Sequence, residues 1–367
     1  VGSFLTRGQP TALGLVRRAV ESERPAHALL LVGPAGVGKT TLAFDLACGL
    51  LCLAERPADR PCRACAACRK VEHGNHPDVH LLSPEGAGQQ IRVGQVQALA
   101  TELALLPLEG RYRVAIIENA QRLNLDAQNA LLKTLEEPPA RVVLILAAND
   151  SASLLPTVVS RCARVRLGPV PTEVIAELIV ERGLADAARA AAVGRLAAGR
   201  PGVAMTLASQ PEAGLVQARL AGALLDLLGA DRRQRLAAQS ELLADAAELD
   251  RSTSTGRDEA DEPVRRPGRA AGKVSPAERR AAAATLLAVW QDVARDLAIA
   301  ARGGQRELRQ HELLDELAAA GALVDPAHAT RFLDRLQAVS RALDAYANPE
   351  LAVDALLLAW LRLRSAA

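Results

Sequence analysis

The chain has 367 residues, enough for two or three domains with sizeable cores. Half of the residues are hydrophobic but only 2% are aromatic, and Ala and Leu dominate, a balance that favours helices. Lys and Arg total 44 against 42 Asp and Glu, which excludes nucleic-acid binding by bulk charge and leaves room only for a local basic patch.

The longest apolar stretch near the start, Ala26 to Val32, is far short of the ~20 residues a bilayer helix needs. It runs into a Gly-rich turn rather than a cleavage site, so it reads as a buried strand, with no membrane partner and a cytoplasmic location. Further short runs rich in Val, Ile or Leu follow at Val79–Leu82, Val114–Ile117, Val142–Ala147 and Arg164–Leu167. With Ala28–Val32 they make five candidate strands separated by helical segments, which predicts an α/β domain with a parallel sheet over residues 1–168.

Gly33-Pro34-Ala35-Gly36-Val37-Gly38-Lys39-Thr40 fits G-x-x-x-x-G-K-[ST] without a mismatch, between the first strand and a helix expected from Lys39 to Leu51. The glycines Gly33, Gly36 and Gly38 let backbone N–H groups turn inward around phosphates at the helix N-terminus. Lys39 would reach the β- and γ-phosphates of ATP or ADP, Thr40 would hold Mg²⁺, and Thr41 follows in the same turn.

Cys52, Cys62, Cys65 and Cys68 follow as C-x9-C-x2-C-x2-C, a spacing that lets four thiolates converge on one tetrahedral Zn²⁺. Four protein ligands leave no open position, so this module at 52–68 is structural. The competing readings are free thiols, or His73 or His76 in place of one cysteine. Cys48, inside the helix, reads as a small buried hydrophobe.

A P-loop ATPase needs a second strand ending in an acid for Mg²⁺ and a neighbouring base for water. Here Val114–Ile117 ends in Glu118-Asn119. Glu118 can approach the metal, but the neutral amide of Asn119 cannot act as a base, which predicts binding with little turnover unless another acid such as Asp126 serves. Asn149 follows the strand Val142–Ala147, where it would touch a γ-phosphate or cap a helix from Ser151. Arg111 and Arg113 are candidates for contact with DNA.

After Pro169 the strand signals stop. Residues 169–211 read as a small helical unit punctuated by Gly183, Gly199 and Pro201, and residues 212–367 as all helical, including Leu224–Leu228, Ala281–Arg295 and Leu351–Leu363. Within the latter, 251–276 has no apolar periodicity and sets four acids before four bases, which predicts a disordered loop.

Three stretches carry a family resemblance: the P-loop with its cysteine module, Asn129-Ala130-Leu131-Leu132-Lys133-Thr134-Leu135-Glu136-Glu137-Pro138-Pro139, and Ser160-Arg161-Cys162. Together they resemble the bacterial clamp-loader subunits of DNA polymerase III, an AAA+ family. The likeness covers residues 1 to about 210; the rest matches in length and helical character alone. The second stretch reads physically as a helix with Ala127, Ala130, Leu131, Thr134 and Leu135 on one face, ended by the Pro pair. The resemblance implies an AAA+ domain, a helical lid (169–211) and an oligomerising helical collar (212–367). It also implies that Arg161 is an arginine finger reaching a neighbour's ATP site, where such groups are worth ~10³–10⁵ in rate. The implied partners are the gamma/tau and delta subunits and, through the complex, a sliding clamp and primed DNA.

Within the family, active ATPases carry Asp-Glu where this chain has Glu118-Asn119, and a nucleotide-sensing Arg in the lid where it has Gly202. His76-Pro77-Asp78-Val79 and the stretch Ile91 to Val96 also look like the non-hydrolysing branch, which serves the ring as a stator. The alternatives are an active gamma/tau-type ATPase and a purely structural scaffold that holds nucleotide and zinc.

Overall fold

The computed structural model describes residues 2–84, 90–254, 275–304, 308–310, 313–344 and 347–361. The chain divides into two compact units, Val1–Ile175 with Gly199–Gly202, and Ala176–Ala198 with Val203–Ala367.

The first unit is an α/β layer structure. Its elements are α1 (Pro10–Glu21), β1 (Ala28–Val32), α2 (Lys39–Leu51), α3 (Ala66–Glu72), β2 (Val79–Leu82), α4 (Val93–Leu103), β3 (Arg113–Ile117), α5 (Leu125–Glu136), β4 (Val142–Ala148), α6 (Pro156–Ser160) and β5 (Ala163–Arg166). All strand pairs are parallel, in the order β2-β3-β4-β1-β5, with Leu30 opposite Leu146 and Ala115 opposite Leu144. The five expected strands are present; β3 and β4 each gain one residue and β5 lies one residue earlier.

Strand periodicity sorts the core. Leu29 and Leu31 of β1 face one way, packing with Val16, Val20, Leu42 and Leu46. Leu30 faces the other way, with Ile117, Val96, Leu99, Leu131 and Leu135. On α5 the expected apolar face holds, with Ala127, Leu131 and Leu135 buried. Gln128 is buried among them because its amide is satisfied: Nε2 donates to Leu123 O at 3.1 Å, and Oε1 accepts from Leu155 N at 2.7 Å.

The loop between α4 and β3 hangs on one carboxylate. Asp78 is fully buried and accepts backbone N–H bonds from Leu108 (2.6 Å), Glu109 (2.8 Å) and Gly110 (2.7 Å). Arg113 is buried as well, donating to Leu106 O and Glu102 O. That corrects its reading as a surface base for DNA, and Arg111 is paired with Glu23.

The second unit is helical: most of α7 (Thr172–Glu181), then α8 (Ala187–Leu196), α9 (Pro201–Ser209), α10 (Pro211–Asp226), α11 (Arg232–Ala237), α12 (Gln239–Ser254), α13 (Pro276–Ala300), α14 (Leu314–Leu323), α15 (Pro326–Asp344) and α16 (Pro349–Ala359). The 25-residue α13 is its centre, packed by α12, α14 and α15. Trp290, Phe332 and Trp360 stack with centroids 4.7–5.7 Å apart, and Trp360 Nε1 donates to Leu224 O at 2.8 Å. Arg235 is fully buried and spreads its donors over Leu228 O, Trp360 O and Leu361 O, closing the ends of α10 and α16.

Two helices stop earlier than their apolar runs: α10 ends at Asp226, before Leu227 and Leu228, and α16 at Ala359. The loop expected at 251–276 is corrected at its two ends. Residues 251–254 continue α12, and Ser275 opens α13 with a capping box in which Ser275 N donates to Glu278 Oε2 at 2.7 Å. Residues 255–274 lie outside the described residues.

Candidate functional site

The nucleotide-type site forms at the C-terminal edge of the sheet, where β1, β3 and β4 end side by side. The loop after β1 turns through left-handed glycines, Gly36 (φ 78°) and Gly38 (φ 103°), and feeds α2. Gly33 has no room for a side chain, since a Cβ would lie 2.4 Å from Leu167 O. At Gly38 a Cβ would meet nothing within 4 Å, so the loop borders open space of the kind a phosphate fills. Thr41 lies in the first turn of α2, half-buried.

Lys39 and Thr40 are both engaged by protein groups around the loop. Lys39 is buried and its Nζ donates to Gly33 O (2.6 Å), Pro34 O (2.9 Å) and Asn149 Oδ1 (3.1 Å). Asn149 therefore faces the lysine. The capping role belongs to Asp150 instead, whose Oδ1 accepts from Ala152 N and Ser153 N, and the next helix starts only at Pro156.

Thr40 Oγ1 donates to Glu118 Oε1 at 2.9 Å, and Ser83 Oγ donates to Glu118 Oε2 at 2.9 Å. Asn119 takes a left-handed conformation (φ 49°) and accepts from Gln121 Nε2 at 3.4 Å. Gln121 in turn accepts from Asn149 N at 3.2 Å, bridging the ends of β3 and β4. Asp126 is exposed in the first turn of α5, and among the described residues no hydrogen bond ties it to Lys39, Thr40 or Glu118. Gly202 N donates to Gly36 O at 2.8 Å, so the position where an active relative would place a sensing Arg meets the phosphate loop through backbone.

Arg161 caps α6 on the surface. Its Nη1 donates to Thr157 O at 3.0 Å, and its Nη2 lies 2.7 Å from Glu136 Oε1.

The four cysteines converge. Their Sγ atoms all lie within 4.8 Å of one another, with Cys52 and Cys68 buried and Cys62 and Cys65 half-buried. A tetrahedral Zn²⁺ with bonds of ~2.3 Å would set its sulfurs roughly 3.8 Å apart, so the set fits such an ion after small adjustments. Backbone N–H groups already address the sulfurs, from Ala54 and Cys62 to Cys52 and from Cys68 to Cys65. Burial pushes the Cys52 thiol up to about 12. At Cys65 burial is outweighed by N–H bonds from Cys68 and Leu53, which draw it down to about 7. A dication would reverse the penalty on the buried thiols.

His73 bonds Arg69 O, and His76 accepts from Asp78 N, so neither joins the thiols. Cys48 is buried as expected, but it also receives Arg63 Nη1 at 3.2 Å. Arg63 further pairs with Glu72 and with the buried Asp45 of α2, while Asp45 holds Leu5 N, Thr6 N and Thr6 Oγ1. The cysteine module is thus fastened to the phosphate-loop helix by charge as well as through Cys52. Sequence reading missed Ser83, Gln121 and this Asp45–Arg63 clasp. None of these residues is a defining position of a spaced motif, and Ser83–Glu118, Gln121–Asn149 and Arg63–Asp45 are separated by 35, 28 and 18 residues.

A parallel sheet with β4 inserted between β1 and β3, a phosphate loop after β1, an acid after β3 and a polar residue after β4 is the P-loop nucleotide-binding fold of the AAA+ type. Residues 8–171 match the family model described as DNA polymerase III, delta subunit. The chain is 36% identical over 174 residues to the DNA polymerase III subunit delta' of Bacillus subtilis (strain 168), covering 47% of this chain and 52% of that one. With the subunit delta' of Pseudomonas aeruginosa it shares 45% identity over 140 residues, 38% of this chain and 42% of that one. With the subunit tau of Salmonella typhimurium it shares 36% over 168 residues, 46% of this chain and 26% of that one. The chain thus spans about half the length, or less, of the curated relatives it matches. Through this matched region the chain is similar to DNA polymerase III delta prime subunits, and to tau as well. Among the described residues no helix is long and apolar enough to cross a membrane.

Proposed function

We propose that this chain works as a delta prime subunit of a bacterial clamp loader: a cytoplasmic stator that holds nucleotide with little turnover and completes a neighbour's ATP site. Gly33, Gly36, Gly38, Lys39, Thr40 and Thr41 would hold ATP or ADP, with Thr40 and Glu118 on the side of Mg²⁺. The metal would neutralise phosphate charge. Cys52, Cys62, Cys65 and Cys68 would hold a structural Zn²⁺.

The observation that carries this reading is the end of β3. Glu118 is engaged by Thr40 and Ser83, and the following residue is an amide, not a carboxylate, turned toward Gln121. A site of this kind binds phosphate but offers no proton acceptor to water. Arg161 would act in trans on a gamma/tau subunit, exchanging Glu136 for phosphate. A partly exposed ion pair of this type is worth only ~0–1 kcal/mol, so the exchange is cheap. Exposed leucines on the collar helices, Leu215 on α10 with Leu351 and Leu358 on α16, fit a role in holding a ring with gamma/tau and delta. The ring would place a sliding clamp on primed DNA.

The test is single-turnover hydrolysis of ATP by the purified chain, with nucleotide retention measured in parallel. Retention that depends on Lys39, without product formation, is expected. Turnover by the chain alone that disappears in Lys39→Ala would replace this reading with an active gamma/tau-type ATPase.

A further inference from the structure

We propose that Ser83 is a positioning residue for Glu118, and that it lets a glutamate stand where the shorter aspartate is the ordinary metal-side acid. The proposal rests on the nucleotide-holding reading above. Ser83 follows β2 and Glu118 follows β3. The two strands pair with Leu82 opposite Ile117, so the ladder places these two residues next to each other, and Glu118 N donates to Leu82 O at 2.9 Å.

A glutamate carries one more rotatable bond than an aspartate and would otherwise sample several orientations at this depth. Here two hydroxyls hold it, one on each carboxylate oxygen. Ser83 Oγ takes Oε2 and Thr40 Oγ1 takes Oε1, each at 2.9 Å. The Ser83 bond holds the second oxygen at the residue that follows β2 and leaves Oε1 to the threonine that would share Mg²⁺. Ser83 thus fixes the orientation of Glu118 as a metal-side acid.

The experiment is a titration of the full chain with N-methylanthraniloyl-ADP, in Mg²⁺ and in EDTA. Wild type is expected to bind more tightly in Mg²⁺. Ser83→Ala should lose about tenfold of that gain, the scale of one hydrogen bond to a charged group, with affinity in EDTA unchanged. Ser83→Thr should restore it, and Glu118→Gln should abolish the gain. A full Mg²⁺ gain in Ser83→Ala, or an equal loss in both buffers, overturns the proposal, the second because it marks a structural role. Binding by wild type with no Mg²⁺ gain overturns it too, while leaving the P-loop reading intact. Binding by Lys39→Ala equal to wild type, or no binding by wild type, brings down the nucleotide reading itself and the proposal with it.

Discussion

Asp78→Ala should unfasten the loop that joins α4 to β3. The carboxylate is fully buried and accepts three backbone N–H bonds at 2.6–2.8 Å, from Leu108, Glu109 and Gly110. Bonds to a charged group are worth ~1.5–3 kcal/mol each when their donors are left stranded. Residues 108 and 109 are exposed, so water would take over part of the lost bonding. A net loss of about 3 kcal/mol is therefore expected, near the upper end of ordinary single substitutions. Both tryptophans, Trp290 and Trp360, lie in the helical unit, so their fluorescence would miss this change. Hydrogen exchange across 104–113, with urea melts followed by circular dichroism, would detect it. Wild-type exchange rates in that segment, or a midpoint unchanged in the variant, would refute the reasoning.

The same region sets a pH response in two windows. Burial pulls the His76 pKa below its ordinary 6.5. As pH falls below that value the unfolded chain takes the proton first, and stability declines until the folded pKa is reached. Burial works against the Asp78 carboxylate, but the three N–H bonds hold its pKa below the ordinary 3.8. Its contribution is complete above the unfolded value and is lost as pH falls through the folded one.

The remaining expectations are simpler to read. Metal analysis should find one zinc per chain, lost on mutating Cys52 or Cys68 to Ser and kept in Cys48→Ala; retention in the first two would exclude a four-thiolate site. Asn119→Glu should introduce a carboxylate at the base position and raise phosphate release above the wild-type background; no rise would mean that more than the base is missing. Arg235→Ala should destabilise the helical unit by roughly 3–5 kcal/mol, because it strands several buried carbonyls, and tryptophan fluorescence melts would report it.

Much of the first unit was legible because its signals are local. Continuous apolar runs marked β1, β3 and β4, which are buried on both faces, and the phosphate loop and cysteine spacing are short motifs whose geometry follows from backbone and thiolate chemistry. The residues that refine the site were not legible. Ser83 lies 35 residues from Glu118, and Arg63 lies 18 from Asp45, so only the fold brings them together. Arg113 read as a surface base because charge alone says nothing of burial, and here carbonyls of the α4–β3 connection absorb its donors. At 251–276 composition missed the ends of the flanking helices, which the turns of α12 and the Ser275 capping box set.

In the proposed function Arg161 acts beyond its own chain. Its most direct test is DNA-stimulated ATP hydrolysis by a loader reconstituted from this chain with gamma/tau and delta subunits. Arg161→Ala is expected to lower that rate by ~10³ or more at the affected site while assembly, followed by gel filtration, is preserved. An unchanged rate in the assembled complex would contradict it and leave the chain as a scaffold.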